Sequence, residues 1–256
     1  MILGDTCTRG CRFCAVASGN PAGRVDASEP GHVADALARM DLAYVVLTMV
    51  DRDDLDDGGA AHVARTVRAI KSQSPDLLVE TLMGDFAGIK HDVAKVVVEG
   101  KPDVFAHNVE VVPRLQRVMR DVRCSWARSI EVLQHAREAG AHITKSSLMV
   151  GCGEEQTEVL EAMHMLREAQ VDVLTIGQYL RPTPKHAPVV RYVDPAEFDA
   201  YTQAGLAMGF QYIASGPLVR SSYRAAEAFM QGILRGASAT IENRYGKKRR
   251  HLGVVQ

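Results

Sequence analysis

The chain has 256 residues, 46% hydrophobic and 24% charged, an ordinary globular balance that excludes disordered, collagenous and coiled-coil classes. Its 30 Lys and Arg against 31 Asp and Glu give a formal net charge of −1, so the positive field that bulk nucleic-acid binding needs is missing. No apolar run approaches the roughly 20 residues that span a bilayer. The start Met1-Ile2-Leu3-Gly4-Asp5 lacks the basic-then-apolar pattern of a secretory leader. Five cysteines, three of them within residues 7–14, do not read as a secreted disulfide scaffold, and a reducing cytoplasm is the expected location.

In chain order, short β-branched runs alternate with amphipathic stretches. Ile2–Leu3 is a possible short first strand. Tyr44–Val50 reads as a buried parallel strand, followed by strands at 77–82, 103–106, 143–150, 173–179 and, late, 211–214. Helical periodicity covers 32–40, 60–71, 89–99, 127–139, 155–169 and 195–208. Gly100, Gly140 and Gly209 stand where helix C-caps belong, and Pro195 sits in a first turn. About six strand–helix units in series imply an α/β fold with a parallel sheet and crossover helices. Periodicity alone leaves an open sheet and a partial or full barrel as alternatives. No GxGxxG follows the first strand and no GxxxxGK[ST] occurs, so nucleotide-fold readings lose their main support. The basic run Lys247-Lys248-Arg249-Arg250 reads as a solvated terminus.

The strongest chemical signal is Cys7-Thr8-Arg9-Gly10-Cys11-Arg12-Phe13-Cys14, a CxxxCxxC. Three thiolates so close, with Gly10 permitting a tight bend, can face one centre, and soft sulfur ligands suit zinc or iron–sulfur clusters. Structural zinc wants four ligands in paired spacing, and the next candidate is as far off as His32. Three ligands without a local fourth suit a [4Fe–4S] cluster with one open iron; a zinc knuckle and ordinary buried thiols are the alternatives.

The motif after a short strand, with Phe13 before the last cysteine, resembles the radical S-adenosylmethionine (SAM) superfamily. Further blocks resemble the lipoyl synthase family, in order along nearly the whole chain: Ile2–Arg9, Val46–Leu55 with Asp57-Gly58-Gly59, Asp103–Glu110 with Val112–Leu115, Thr144–Ser146 with Leu148–Gly151, Asp172–Leu180 with Pro182, Lys185-His186 and Pro188–Tyr192, and Gly216–Tyr223. The resemblance implies a radical SAM partial (β/α)6 barrel with parallel strands. Residues 1–215 would form its core, and residues 216–256 an RSSY segment, helix and basic tail packed on or extending from it. It implies that the open iron binds SAM, whose reductive cleavage gives a 5′-deoxyadenosyl radical. It implies insertion of two sulfur atoms, at C6 and C8, into an octanoyl chain carried on a lipoyl carrier domain or the glycine-cleavage H protein, with ferredoxin or flavodoxin as electron donor and no nucleic-acid or membrane partner. Cys7, Cys11 and Cys14 would hold the radical SAM cluster. Ser222, with Ser221 as the alternative, would ligate an auxiliary [4Fe–4S] cluster that is consumed as sulfur donor; adjacent serines also serve as ordinary caps or turns. No catalytic residue beyond the cluster ligands is expected.

Strand C-terminal ends are where a parallel barrel builds its site. Thr48, Asp51, Asp53 and Asp54 follow the first long strand, placed to meet the SAM ammonium or to cap the next turn. Asn108 and Glu110, at the end of the 103–106 strand, suit ribose hydroxyls or the amino group, or are a solvated strand end. Lys145, if it faces a pocket, needs an anion such as the SAM carboxylate; facing outward it is only a charge. Arg220 is either an anion or cluster-sulfur partner or half of a surface pair. His107 and His186 read as satisfied core or rim groups, and Trp126 as packing. Ser147 and Cys152 stand where the family has glycine and an aliphatic residue. The family's second cysteine motif, CxxxxCxxxxxC, precedes the first strand and does not occur in residues 1–256. The expectation is that it lies upstream of Met1, and that this chain alone binds about four iron rather than about eight. A radical SAM protein that cleaves SAM without inserting sulfur, and a non-catalytic carrier-binding relic, are the alternatives.

Overall fold

A computed structural model describes residues 1–40 and 42–222. Two two-residue strands, β1 (Thr6–Cys7) and β2 (Ala17–Ser18), pair in parallel around the cysteine loop. Then come α1 (Glu29–Ala38), β3 (Tyr44–Thr48), α2 (Ala60–Gln73), β4 (Leu78–Leu82), α3 (Lys90–Lys95), β5 (Val104–Ala106), α4 (Gln116–Met119) and α5 (Trp126–Glu138). The series ends with β6 (Ile143–Val150), α6 (Gln156–Glu168), β7 (Val173–Gln178), α7 (Pro195–Ala207) and β8 (Tyr212–Gly216). Strands β3 to β8 pair in chain order and all in parallel, and no ladder joins β3 to β8 among the described residues. This is the expected α/β architecture, a sheet of six parallel strands with helical crossovers, left open between its first and last strands.

The helices form where an apolar stripe meets a start signal. In α2, Val63, Ala64, Val67 and Ile70 are all fully buried, the spacing of one helical face. Its start is fixed by Asp57, whose two carboxylate oxygens accept from the Gly59 and Ala61 amides at 2.9 and 2.8 Å. Ser125 caps α5 and Asp194 caps α7 in the same way. The helix expected over 89–99 is two pieces: α3 widens into a π turn over Val96–Gly100, and Lys101 leaves it in the left-handed region. The first strand expected at Ile2–Leu3 is one bridge, Ile2 to Met49. Leu3 and Gly4 both take positive φ, which turns the chain off the sheet before a ladder forms.

Two apolar layers lie between sheet and helices, one around α2, α3 and β3–β5, the other around α5–α7 and β6–β8. A third cluster lies on the inner face: Tyr44, Leu78, Val104, Ile143 and Val173 come from five successive strands, with Tyr212 of β8 against them. Burying each such side chain contributes about 1.5–3 kcal/mol, and together they fill the N-terminal end of the barrel. Side chains alternate along a strand, so Glu80 and Lys145, two residues beyond Leu78 and Ile143, share this inner face. The C-terminal end is left to the loops. Residues 223–256, which carry most of the segment assigned from 216 onward, lie outside the described residues.

Candidate active site

The cysteine loop lies over the C-terminal ends of β3–β6 and is tied down from four sides. On the β3 side, Thr8 donates its amide to Asp51 O at 3.0 Å and its hydroxyl to Asp53 at 2.7 Å. From beneath, the buried Arg9 guanidinium forks between Asp85 (2.7 and 2.5 Å) and Asp53 (3.1 and 2.8 Å). Asp85 in turn sits in a turn whose Phe86 and Ala87 both take positive φ, a strained backbone that its carboxylate holds by accepting from Ala87 N. On the α4 side, Arg12 N donates to Met119 O at 2.8 Å, Gly10 N to Asp121 at 2.9 Å, and Asp121 N to Cys11 Sγ at 3.3 Å. From the loop after β7, Ala187 N donates to Arg12 O at 2.9 Å and His186 Nε2 to Cys14 O at 3.0 Å. A loop so held presents its sulfurs in a preset geometry, which is what cluster ligation demands of its support.

Cys7, Cys11 and Cys14 are half-buried free thiols. Burial pushes the Cys7 and Cys14 thiols up, and Asp51 adds to it at both. Contact with the Cys124 thiol, then burial, pushes Cys11 up. Among the described residues no three Cys, His, Asp or Glu side chains converge on a single ion. Thiolates on one zinc stand about 3.8 Å apart from the 2.3 Å bond length, closer than thiolates on separate irons of a cubane. Three soft donors on a pinned, half-buried loop fit a cluster.

The remaining predicted residues divide. Asp51 and Glu110 sit beside the thiols: both bear on Cys14, and burial pushes both carboxyls up. Gly84 makes room for Asp51, since a Cβ there would collide with its carboxylate. Glu110 and Asn108 stand beyond the end of β5, which stops at Ala106. Glu110 has φ 68° and bridges to Leu148 of β6, and Asn108 donates to Glu110 Oε1 at 3.2 Å. Thr48 ends β3, its carbonyl accepting from Ile2 N. Asp53 and Asp54 cap no helix, which is the work of Asp57. Asp53 belongs to the Arg9 fork, and Asp54 pairs with the buried Arg52 and the Gly23 amide. Beside this loop a cavity of about 270 Å³ opens, lined by Met49, Asp56, Phe86 and Ile89 among others. Lys145 faces inward, and its anion is Glu80: Nζ donates to both carboxylate oxygens at 2.8 Å, and Tyr44 donates to the same group at 2.6 Å. Among the described residues Arg220 bonds the carbonyls of its own turn, Val219 and Pro217, rather than an anion. That turn lies on Gly177, where a Cβ would collide with Val219 O, so the chain crosses the inner face of β7 at its C-terminal end. Ser221 is half-buried and Ser222 exposed just beyond it. Arg9, Asp85, Arg120 and Asp121 are not singled out by the sequence: Arg9 and Asp85 are 76 residues apart and Asp121 lies 111 from the Gly10 amide it accepts from, while Arg120 bonds only neutral groups among the described residues.

A parallel barrel with a CxxxCxxC loop at the C-terminal end of its strands defines a class, and the radical SAM superfamily model matches residues 1–177. Solved structures agree on the fold. The FeFe-hydrogenase maturase HydG from Carboxydothermus hydrogenoformans superposes with TM-score 0.63 at 14% identity, covering 97% of this chain and 68% of that one. A methylornithine synthase superposes with 0.61 at 14%, covering 84% and 70%. At higher identity the chain is similar to lipoyl synthases: 58% over 93% of its length with that of Sorangium cellulosum, 54% over 92% with that of Thermus thermophilus, and 50% over 94% with the mitochondrial one of Laccaria bicolor. The chain belongs to the lipoyl synthase family. It spans 68%, 73% and 62% of those three relatives respectively.

Proposed function

We propose that this chain is the catalytic core of a lipoyl synthase, a radical SAM sulfurtransferase that places two sulfur atoms at C6 and C8 of a protein-bound octanoyl chain. The observation that carries the reading is the pinned cysteine loop beside two half-buried carboxylates. Cys7, Cys11 and Cys14 would hold a [4Fe–4S] cluster, which with SAM supplies one-electron cleavage and a hydrogen-abstracting radical. Asp51 and Glu110 are partly desolvated, among the described residues neither has a close ionic partner apart from Arg9 at 3.8 Å from Asp51, and each gains from a cation such as the ammonium or sulfonium of SAM. Asn108 orients Glu110 and offers an amide to ribose hydroxyls. Thr48 borders this pocket at the end of β3. Lys145 would act through Glu80, fixing the floor of the site, rather than on SAM directly.

The turn at 217–220 lies against Gly177, and Ser222 just beyond it, with Ser221 as the alternative, would ligate the auxiliary [4Fe–4S] cluster. An octanoylated lipoyl carrier domain or H protein is the proposed substrate, with ferredoxin or flavodoxin as reductant. A reducing compartment suits five free thiols, and the cytoplasm is the one proposed. Among the described residues no helix is long and apolar enough to cross a membrane. The test is anaerobic reconstitution followed by iron and sulfide counts. About four iron per chain, an electron paramagnetic resonance signal on reduction, and 5′-deoxyadenosine from SAM are expected, all lost on Cys7→Ala, Cys11→Ala or Cys14→Ala. Iron binding that survives all three substitutions ends the reading.

A further inference from the structure

Arg120 is buried at the end of α4, directly against the cysteine loop. The bonds Arg12 N to Met119 O and Asp121 N to Cys11 Sγ flank it on both sides, so residues 119–121 run alongside 11–12 with Arg120 between them. The guanidinium makes no ion pair among the described residues. It is held by one nitrogen: Nη1 donates to Ser129 Oγ at 2.9 Å, Gln116 Oε1 at 3.1 Å and Val109 O at 3.4 Å. Its Nε is buried with no acceptor. A buried guanidinium that neutralises no carboxylate directly needs a reason to be there.

The direction of every bond behind it can be deduced. His107 Nδ1 faces the Met83 carbonyl at 2.9 Å, which only accepts, so Nδ1 carries the proton. His107 Nε2 is then bare and accepts from the Ser129 hydroxyl at 2.9 Å. Ser129, having given its proton to histidine, offers lone pairs to Arg120. Only a neutral imidazole keeps this order, and burial, then the Arg120 charge, pulls His107 down to about 4. The relay joins the ends of β4 and β5 to α5 and α4, and fixes Arg120 from four elements at once.

We propose that Arg120 is a positioning cation for the group held by Cys7, Cys11 and Cys14, and that Ser129 and neutral His107 aim it. The inference rests on the cluster reading above. Cys11, Asp51 and Glu110 all feel the charge of Arg120. A cluster becomes more negative on reduction, so a fixed cation beside one ligand stabilises the reduced form and raises its potential. Without it the desolvated thiolates, Asp51 and Glu110 would make electron entry harder.

The experiment is a redox titration, followed by electron paramagnetic resonance, of the reconstituted full chain and of Arg120→Gln, Arg120→Lys and Ser129→Ala. Arg120→Gln is expected to load iron and to show about a tenfold smaller reduced-to-oxidised ratio at a fixed poise, a shift of about 59 mV downward for one electron. Arg120→Lys keeps the charge and recovers most of the shift. Ser129→Ala keeps every charge and moves the potential downward by less, which also decides the matter should Arg120→Gln fail to load. Fully loaded Arg120→Gln or Ser129→Ala chains at the wild-type potential overturn the proposal and leave the cluster reading standing. A wild-type chain that binds no iron overturns both.

Discussion

Lys145→Met isolates a single buried carboxylate. In the native chain Nζ lies 2.8 Å from both oxygens of Glu80, and the two side chains are 2% and 0% exposed. Each is a charge-assisted bond in a region closed to water, worth about 1.5–3 kcal/mol. Removing the lysine forfeits two of them and strands Glu80, with only the Tyr44 hydroxyl left as donor at 2.6 Å. Breaking one partner of a buried pair costs about 3–5 kcal/mol, which for a chain of this size lowers Tm by roughly 10 °C. Glu80→Gln with Lys145→Met together should cost less than the single change, because no charge is then stranded. Urea unfolding of the cluster-free chain, read by circular dichroism, gives the midpoints. A Lys145→Met midpoint within about 1 kcal/mol of wild type, or a double variant less stable than the single one, refutes the reasoning.

Arg9→Ala leaves Asp85 and Asp53 without their shared cation and should cost about 3–5 kcal/mol together with iron loading, while Arg9→Lys keeps charge but not the fork; iron counts beside urea midpoints separate the two effects. His107, held near 4 in the fold against about 6.5 unfolded, stays neutral while the unfolded chain takes up a proton. Stability is therefore intact above pH 6.5 and falls between 6.5 and 4 by about 3 kcal/mol. His107→Gln should flatten denaturation midpoints across that window, and an unchanged slope would count against a neutral buried imidazole. Gly177→Ala should displace the turn at 217–220, seen as faster hydrogen exchange at the Val219 amide, which now donates to Gly216 O at 3.1 Å. The same exchange rate in both proteins would show that the contact does not hold the turn.

The elements that sequence defined well were those set by local period. The stripes of α2, α5, α6 and α7 and the apolar runs of β3, β6 and β7 stand within a few residues of their expected places. Elements decided by backbone strain were not legible: nothing in Ile2–Leu3 announces Leu3 at positive φ, and nothing in 96–100 announces a π turn. At the site, three cysteines eight residues from first to last carry their chemistry in their spacing, whereas Arg9 draws its meaning from Asp85, in the turn beyond β4. For Asp53 and Asp54 the sequence leaves a SAM contact and a cap as alternatives, because capping is a local habit, and only the folded chain shows that Asp57 does the capping. Lys145, if inward, needs an anion, but Glu80 sits with Thr81 inside the otherwise apolar run Leu78–Leu82, where a strand pattern gives a carboxylate no role.

Because neighbours in the sheet are neighbours in the chain, the barrel can be laid down as it leaves the ribosome, each strand adding to a finished edge. The cysteine loop emerges first, yet its clamps arrive in stages: Asp53, then Asp85, then Asp121, and last His186 from beyond β7. The turn over Gly177 comes later still. A nascent chain therefore offers its thiols before the last of these clamps is in place, and metal delivery during synthesis meets fewer obstacles than repair of the finished molecule.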